Sequence, residues 1–288
     1  MRSRLVWLGP LAVLAALLLA EIATSARAQT AVSDRLTNES LVIDYVEPRD
    51  PAYLPVMQRL KDQQLLERLQ QFLSPVRFKH KLRLTARQCT LDGSPNAFYY
   101  PLDWQLNICY EIVGFLDKMT PTEPVNGVPP KRVIMGALAG VILHEVGHAL
   151  FDNLEVPVLG REEDAADQLA AFLALQFDKD VATTVVTGMA YAQLALKNVG
   201  MGVVTDRRSF SDEHGTADQR FYNLLCIAYG SDPGTFASAA APDVLPPTRA
   251  ESCKQEYAQI RDAFYKTIFP YIDPEKMALV QTVKWLPE

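Results

Sequence analysis

The chain has 288 residues, 49% of them hydrophobic, and a formal net charge of −6. That length suits one large domain or two small ones, and the apolar content is ample for a core. An acidic chain of this kind has no electrostatic reason to bind nucleic acid or anionic lipid.

Residues 1–28 read as a secretory signal. Arg2 and Arg4 form a charged start, Leu11 to Ala20 a short apolar core, and Ala26-Arg27-Ala28 an A-x-A site cut after Ala28. The apolar run is short for a membrane span, which takes roughly 20 residues. The segment has no Cys for a lipid anchor. A cleaved leader is therefore expected, giving a secreted or periplasmic protein with no stable membrane anchor. Loss of Arg2, Arg4, Arg27 and Glu21 takes the net charge from −6 to −8. Residues 29–288 remain as a single expected domain.

Residues 29–50 read as an extended lead-in. Tyr53 to Leu73 carries apolar residues at helical spacing, and Pro75 closes that helix. Val76 to Leu84 alternates apolar and basic residues, as a strand with one wet face does. Cys89 to Tyr110 reads as a hairpin with strands at Ala97–Tyr100 and Gln105–Cys109. Glu111 to Met119 starts a helix, and a loop with four prolines leads to a long apolar helix from Val133 to Phe151. Further helices are expected at Glu162–Asp178, Val181–Asn198, Ala217–Tyr229, 249–267 and 274–282. The stretches Gly200–Gly215 and Ser231–Pro247 read as irregular.

The four cysteines, Cys89, Cys109, Cys226 and Cys253, all follow the leader. An even count behind a signal peptide suggests two disulfides, and four cysteines allow three connectivities. Cys89–Cys109 with Cys226–Cys253 is favoured, because each pair brackets a local hairpin.

His144-Glu145-Val146-Gly147-His148 lies inside the long apolar helix. On a helix, residues four apart share a face, with Cβ atoms roughly 5–6 Å apart, so both imidazoles can grip one metal ion. Glu145 sits one step round, beside the metal's open position, where a zinc hydrolase needs a general base. With 4 histidines in the whole chain, an accidental HExxH has odds under about 1%.

A catalytic zinc takes three protein ligands and a water. Of the other histidines, neither His80 nor His214 has the metzincin spacing. Acids open the very next helix, at Glu162, Glu163, Asp164 and Asp167. Helices joined by a loop of about eight residues are antiparallel neighbours, which brings these acids near His148. Glu163 and Asp167 share a face, and Ala166, Ala170 and Ala171 keep it slim. Glu163 is the expected ligand, and Asp167 the acceptor for the far nitrogen of a ligand His. Asp164 and Asp167 are the alternatives for third ligand. Glu162 and Asp164 are expected to point elsewhere and favour the helix N-terminus.

HEVGH followed by Glu163-x-x-Ala166-Asp167 resembles the gluzincin-like metallopeptidases. The wider chain resembles a bacterial domain-of-unknown-function family described as metallopeptidases. The matching segments are Asn96-Ala97-Phe98-Tyr99, Cys109-Tyr110-Glu111, HEVGHALFD, Glu163-Asp164-Ala165-Ala166-Asp167-Gln168 and Asp218-Gln219-Arg220-Phe221-Tyr222-Asn223. This resemblance implies an α+β, zincin-like fold. A small mixed sheet would pack on the HExxH helix, and a mostly helical C-terminal lobe would close the cleft.

The expected function is a zinc-dependent peptidase acting on a peptide or protein. Glu145 would move the proton between water and the leaving nitrogen. An oxyanion donor is also needed; His214 is the first candidate and Tyr222 the second, with His214 as a plain surface residue beside that reading. His80 reads as an ordinary strand residue. Arg220 either pairs with a site carboxylate or stabilises its own helix, and the second is preferred. Ala97 to Tyr100 reads equally as a substrate-pairing edge strand or as a core hairpin. The alternative function is a non-catalytic metal- or peptide-binding domain that keeps the fold, against which an intact Glu145 argues.

Overall fold

The computed structural model describes residues 35–285 apart from 91, 201–202, 204–206, 208–210 and 242–243, so the expected leader lies outside the described residues. Four strands form one mixed sheet: β1 (Leu41–Tyr45), β2 (Leu82–Arg87), β3 (Ala97–Tyr100) and β4 (Gln105–Cys109). Their order is β1-β2-β4-β3. β1 runs parallel to β2, and β2 to β4. β3 pairs antiparallel with β4, Tyr99 opposite Leu106, and is a sheet edge.

Among the described residues the helices are α1 (Leu54–Asp62), α2 (Leu65–Leu73), α3 (Tyr110–Lys118), α4 (Pro130–Asn153), α5 (Glu162–Ala174), α6 (Lys179–Asn198), α7 (Ala217–Ser231), α8 (Pro247–Thr267) and α9 (Pro274–Val280). The fold class is α+β, with the sheet in the N-terminal half and helices dominating the described residues after it.

α4 is apolar on every side, the mark of a helix enclosed by its own protein. By length and composition it could cross a bilayer, but 67% of its most apolar window is buried inside the fold. Leu82, Leu84, Leu106 and Ile108 on one sheet face share a core with Val146, Ala149 and Leu150 of α4. α6 crosses α4 at backbone range. A Cβ on Gly188 would lie 2.2 Å from Ala137 N, and one on Gly136 would lie 2.1 Å from Thr184 O.

Both expected disulfides are present, Cys89–Cys109 and Cys226–Cys253. The first staples the end of β4 to the segment after β2. The second clamps helix α7 to helix α8.

Two expected elements differ from the structure. The helix expected over Tyr53–Leu73 is two helices, broken at Gln64 with a left-handed φ of 53°. Tyr45, distant in sequence, fills the break: its hydroxyl accepts from Leu66 N at 3.0 Å and donates to Glu67 Oε2 at 2.8 Å. The strand expected from Val76 starts only at Leu82, where β1 and β4 begin to supply ladder partners. Before that the backbone is tied elsewhere. Arg77 N–H donates to Tyr271 O at 2.8 Å, and Lys79 N–H to Asn153 Oδ1 at 2.9 Å. His80 is thus not a strand residue; its ring stacks on Trp104 at 4.3 Å.

The α4–α6 crossing leads to a direct test. Gly188→Ala should lose about 2 kcal/mol of stability in chemical denaturation: main chain cannot rotate away, and overpacking costs about 1–3 kcal/mol against a helix-propensity gain of up to about 1. A neutral or stabilising result would show that the helices can separate freely.

Candidate metal centre

The buried helix α4 presents His144, Glu145 and His148, and α5 packs across it at Gly147. A Cβ on Gly147 would lie 3.1 Å from Ala166 Cα. This close approach sets the first turn of α5, with Glu162, Glu163 and Asp164, beside the two imidazoles. His144 Nε2 and His148 Nε2 are 3.2 Å apart. Glu163 Oε2 lies 3.0 Å from the first and 3.5 Å from the second.

Zinc–nitrogen bonds of 2.0–2.1 Å in a tetrahedron imply ligand-to-ligand edges of about 3.3 Å. The three observed separations are close to that edge. Glu163 Oε2 is buried and, despite its short distances to imidazoles, makes no well-directed hydrogen bond. Short contacts without hydrogen-bond alignment suit donors aimed at a shared cation. His144, His148 and Glu163 could therefore hold a metal ion.

Each imidazole is held from behind. Asp167 Oδ1 is 2.9 Å from His144 Nδ1, and Glu162 Oε1 is 2.7 Å from His148 Nδ1. Carboxylates on Nδ1–H leave both Nε2 lone pairs free for a metal. Asp167 is itself gripped by Arg220, whose Nε and Nη2 donate at 2.6 and 2.7 Å. Burial raises the Asp167 and Glu163 carboxyls, but the facing imidazoles, joined at Asp167 by Arg220, outweigh it and hold both far below the usual range. For His144, burial lowers the pKa, yet Asp167 and Glu163 lift it to about 9.

Glu145 is 8% exposed, and burial pushes its carboxyl up against the pull of the two histidines. It also accepts a hydrogen bond from the Tyr99 backbone N–H of the edge strand. A cavity of about 440 Å³ opens here, lined among others by Asn96 and Ala97 of the sheet edge, Val141 and Glu145 of α4, Met189 of α6, and His214.

His214 reaches this site: its Nε2 is 2.9 Å from Glu163 Oε2, and its Nδ1 is 3.5 Å from Asp212 Oδ1. Tyr222 does not line the cavity. It follows Arg220 by two positions, about 200° round helix α7, so it faces away; it is 39% exposed with its ring against Phe221. Asp164 lies outside the His144–His148–Glu163 group and stands 3.8 Å from Arg161.

Glu162 was expected to point elsewhere, yet it meets His148; of the two readings of Arg220, the structure shows the less favoured one, pairing with the site carboxylate Asp167. The usable signal for Arg220 was the capping box Thr216-x-x-Gln219, which fixes the start of α7 and hence its first turn. Glu162 had no comparable signal, because the bend of the chain into α5 decides which acid meets His148.

The family model described as "Putative metallopeptidase" matches residues 45–268. No curated protein and no solved structure matches the chain.

Asp167→Asn should weaken metal retention about 10–100-fold in chelator competition, because the imidazole loses its charged support. Unchanged retention would remove Asp167 from any supporting role. Metal must also displace the proton that His144 holds up to about pH 9 in the metal-free protein. Uptake should therefore strengthen as pH rises towards 9.

Proposed function

The chain belongs to that metallopeptidase family, and from this premise we propose that it is a zinc-dependent peptidase. The observation that carries the proposal is the meeting of His144 Nε2, His148 Nε2 and Glu163 Oε2 at metal-ligand spacing, with Glu145 next in the chain. Two nitrogens and one carboxylate oxygen form a donor set that suits zinc, with one position left open. We read the mixed sheet with an antiparallel edge strand above α4 as zincin-like.

A zinc ion in this set would polarise a peptide carbonyl and lower the pKa of water at the open position. Glu145 takes the proton from the attacking water and delivers it to the leaving nitrogen. Its burial supports this role, since a raised carboxyl pKa makes it a better proton carrier near neutral pH. His214 Nε2 donates to the oxygen that gains charge as the carbonyl becomes tetrahedral. Asp212 steadies that ring from behind. Asp167 and Glu162 orient the two ligand imidazoles, and Arg220 acts through Asp167.

The edge strand gives the substrate a backbone partner. Ala97 N–H is turned to the Asn96 side chain at 2.9 Å, and Tyr99 N–H to Glu145, so both face outward from β4. An extended peptide laid beside β3 would pair by strand addition. The two disulfides are consistent with an extracellular or periplasmic setting. We place the mature chain there, after removal of residues 1–28.

Purified protein should carry about one zinc per chain, lost in His144→Ala and Glu163→Ala. Glu145→Gln should keep that zinc while hydrolysis of a casein-derived peptide mixture falls about 10²–10⁴-fold. His214→Ala should lower kcat about 10²–10³-fold with zinc retained. Metal-free purified protein, or undiminished cleavage by Glu145→Gln, would sink the assignment.

A further inference from the structure

We propose a second, weaker metal site made of Glu163, Glu213 and His214, which takes a divalent zinc-like ion when metal is in excess. It shares Glu163 with the first site, and so rests on the reading of that carboxylate as a ligand. These three residues offer ligand atoms all within 4.8 Å of one another.

His214 is already set up as a ligand. Asp212 Oδ1 accepts the His214 backbone N–H at 2.9 Å and stands 3.5 Å from its Nδ1. Nε2 is thereby turned towards Glu163, 2.9 Å away. A carboxylate behind one ring nitrogen is how proteins orient metal-binding imidazoles.

Glu163 can serve two cations. A carboxylate offers two oxygens and roughly four lone-pair directions, and Glu163 Oε2 is the buried oxygen without a well-directed hydrogen bond. Local charge favours a second cation as well. Glu145, Asp167 and Asp212 line the cavity beside Glu163 and Glu213, with Glu162 and Asp164 next to them, while among the described residues the guanidinium groups on these acids are Arg220 and Arg161. One dication leaves this surround strongly negative.

The donor set decides the kind of ion. One imidazole with two carboxylates suits zinc and its neighbours, whereas calcium and magnesium take oxygen alone. Glu213 is exposed and the His214 side chain is 41% exposed, so the ion would sit at the solvent edge. That accounts for a weaker hold than the buried first site has. Occupancy would also engage the His214 nitrogen that the proposed mechanism assigns to the substrate oxygen, so excess metal should slow hydrolysis.

The test is equilibrium dialysis of the full chain at rising free zinc, with bound metal counted per chain. Wild type should bind one equivalent tightly and a second at distinctly higher zinc. Glu213→Gln should lose only the second, and His148→Ala should lose the tight one. Inhibition by excess zinc should be relieved in Glu213→Gln, whose exposed position makes misfolding a minor concern. A wild type that stops at one equivalent, or a Glu213→Gln variant that still binds two, overturns the proposal. One equivalent that is lost in His148→Ala but kept in Glu213→Gln leaves the peptidase site standing without the second. One equivalent with the opposite pattern sinks the first site, and with it the proposal of a second, weaker one. No bound zinc at all overturns both.

Discussion

The contact between Gly147 and Ala166 governs the whole site. Gly147 stands in the middle of the HExxH segment, on the buried helix α4, where an interior glycine costs about 1 kcal/mol relative to alanine. It permits the backbone of α5 to approach so closely that a Cβ there would lie 3.2 Å from the Ala166 Cβ. Ala166 is flanked in sequence by Glu163 three residues before and Asp167 just after. The small pair thus sets the distance at which one carboxylate meets Nε2 and another meets Nδ1 of the same imidazole, 3.0 and 2.9 Å. A larger side chain at either position would drive the helices apart, and with them both carboxylates.

The electrostatics bind a third helix to this pair. Asp167 is mostly enclosed, and a buried carboxylate is costly unless it is paired and hydrogen-bonded. Arg220 meets it with two forked bonds and His144 with one. Removing Asp167 or Arg220 leaves an uncompensated charge, and removing His144 costs Asp167 a hydrogen bond, so α4, α5 and α7 are coupled through one network. The position of α7 in turn depends on its own first turn, where Thr216 and Gln219 form a capping box. A local sequence device at the start of one helix therefore steadies an imidazole on another.

How far the site was legible in sequence follows from these distances. HExxH and the Glu163/Asp167 spacing are periodic signals on single helices, and helix geometry alone brings each pair to one face. The slimness of Ala166 and Ala170 was legible for the same reason. The break at Gln64 was not, because the group that stabilises it, Tyr45, lies outside the helix and meets it only through the sheet. Nor was the start of β2. Alternation at 76–84 records which side chains face water, while strand identity needs neighbours, and these begin at Leu82. Glu162 and Tyr222 show the same limit at the site. Rotation about a helix axis by a single residue, about 100°, moves a side chain into or out of the cleft, and only packing determines that rotation.

The walls of the cleft are held by devices of unequal stiffness. The floor is α4, fixed by backbone-range crossings at Gly136, Gly147 and Gly188. The edge strand is tied at its base by Cys89–Cys109 and by the buried Glu111 carboxylate, which accepts from Cys89 N at 3.0 Å and Thr90 N at 2.9 Å. These bonds anchor the loop that delivers Asn96 and Ala97 to the cavity. The third wall, Asp212 to Thr216, rests on short local hydrogen bonds at the solvent edge. Two of the three groups assigned to grip metal thus sit on the stiffest element, with Glu163 on the helix packed against it at Gly147, and the donor assigned to the substrate oxygen sits on the softest. Ligand geometry tolerates little displacement, whereas a donor that meets an oxygen only as charge develops gains from a segment that can adjust. The stiffness gradient across the cleft follows that division of labour.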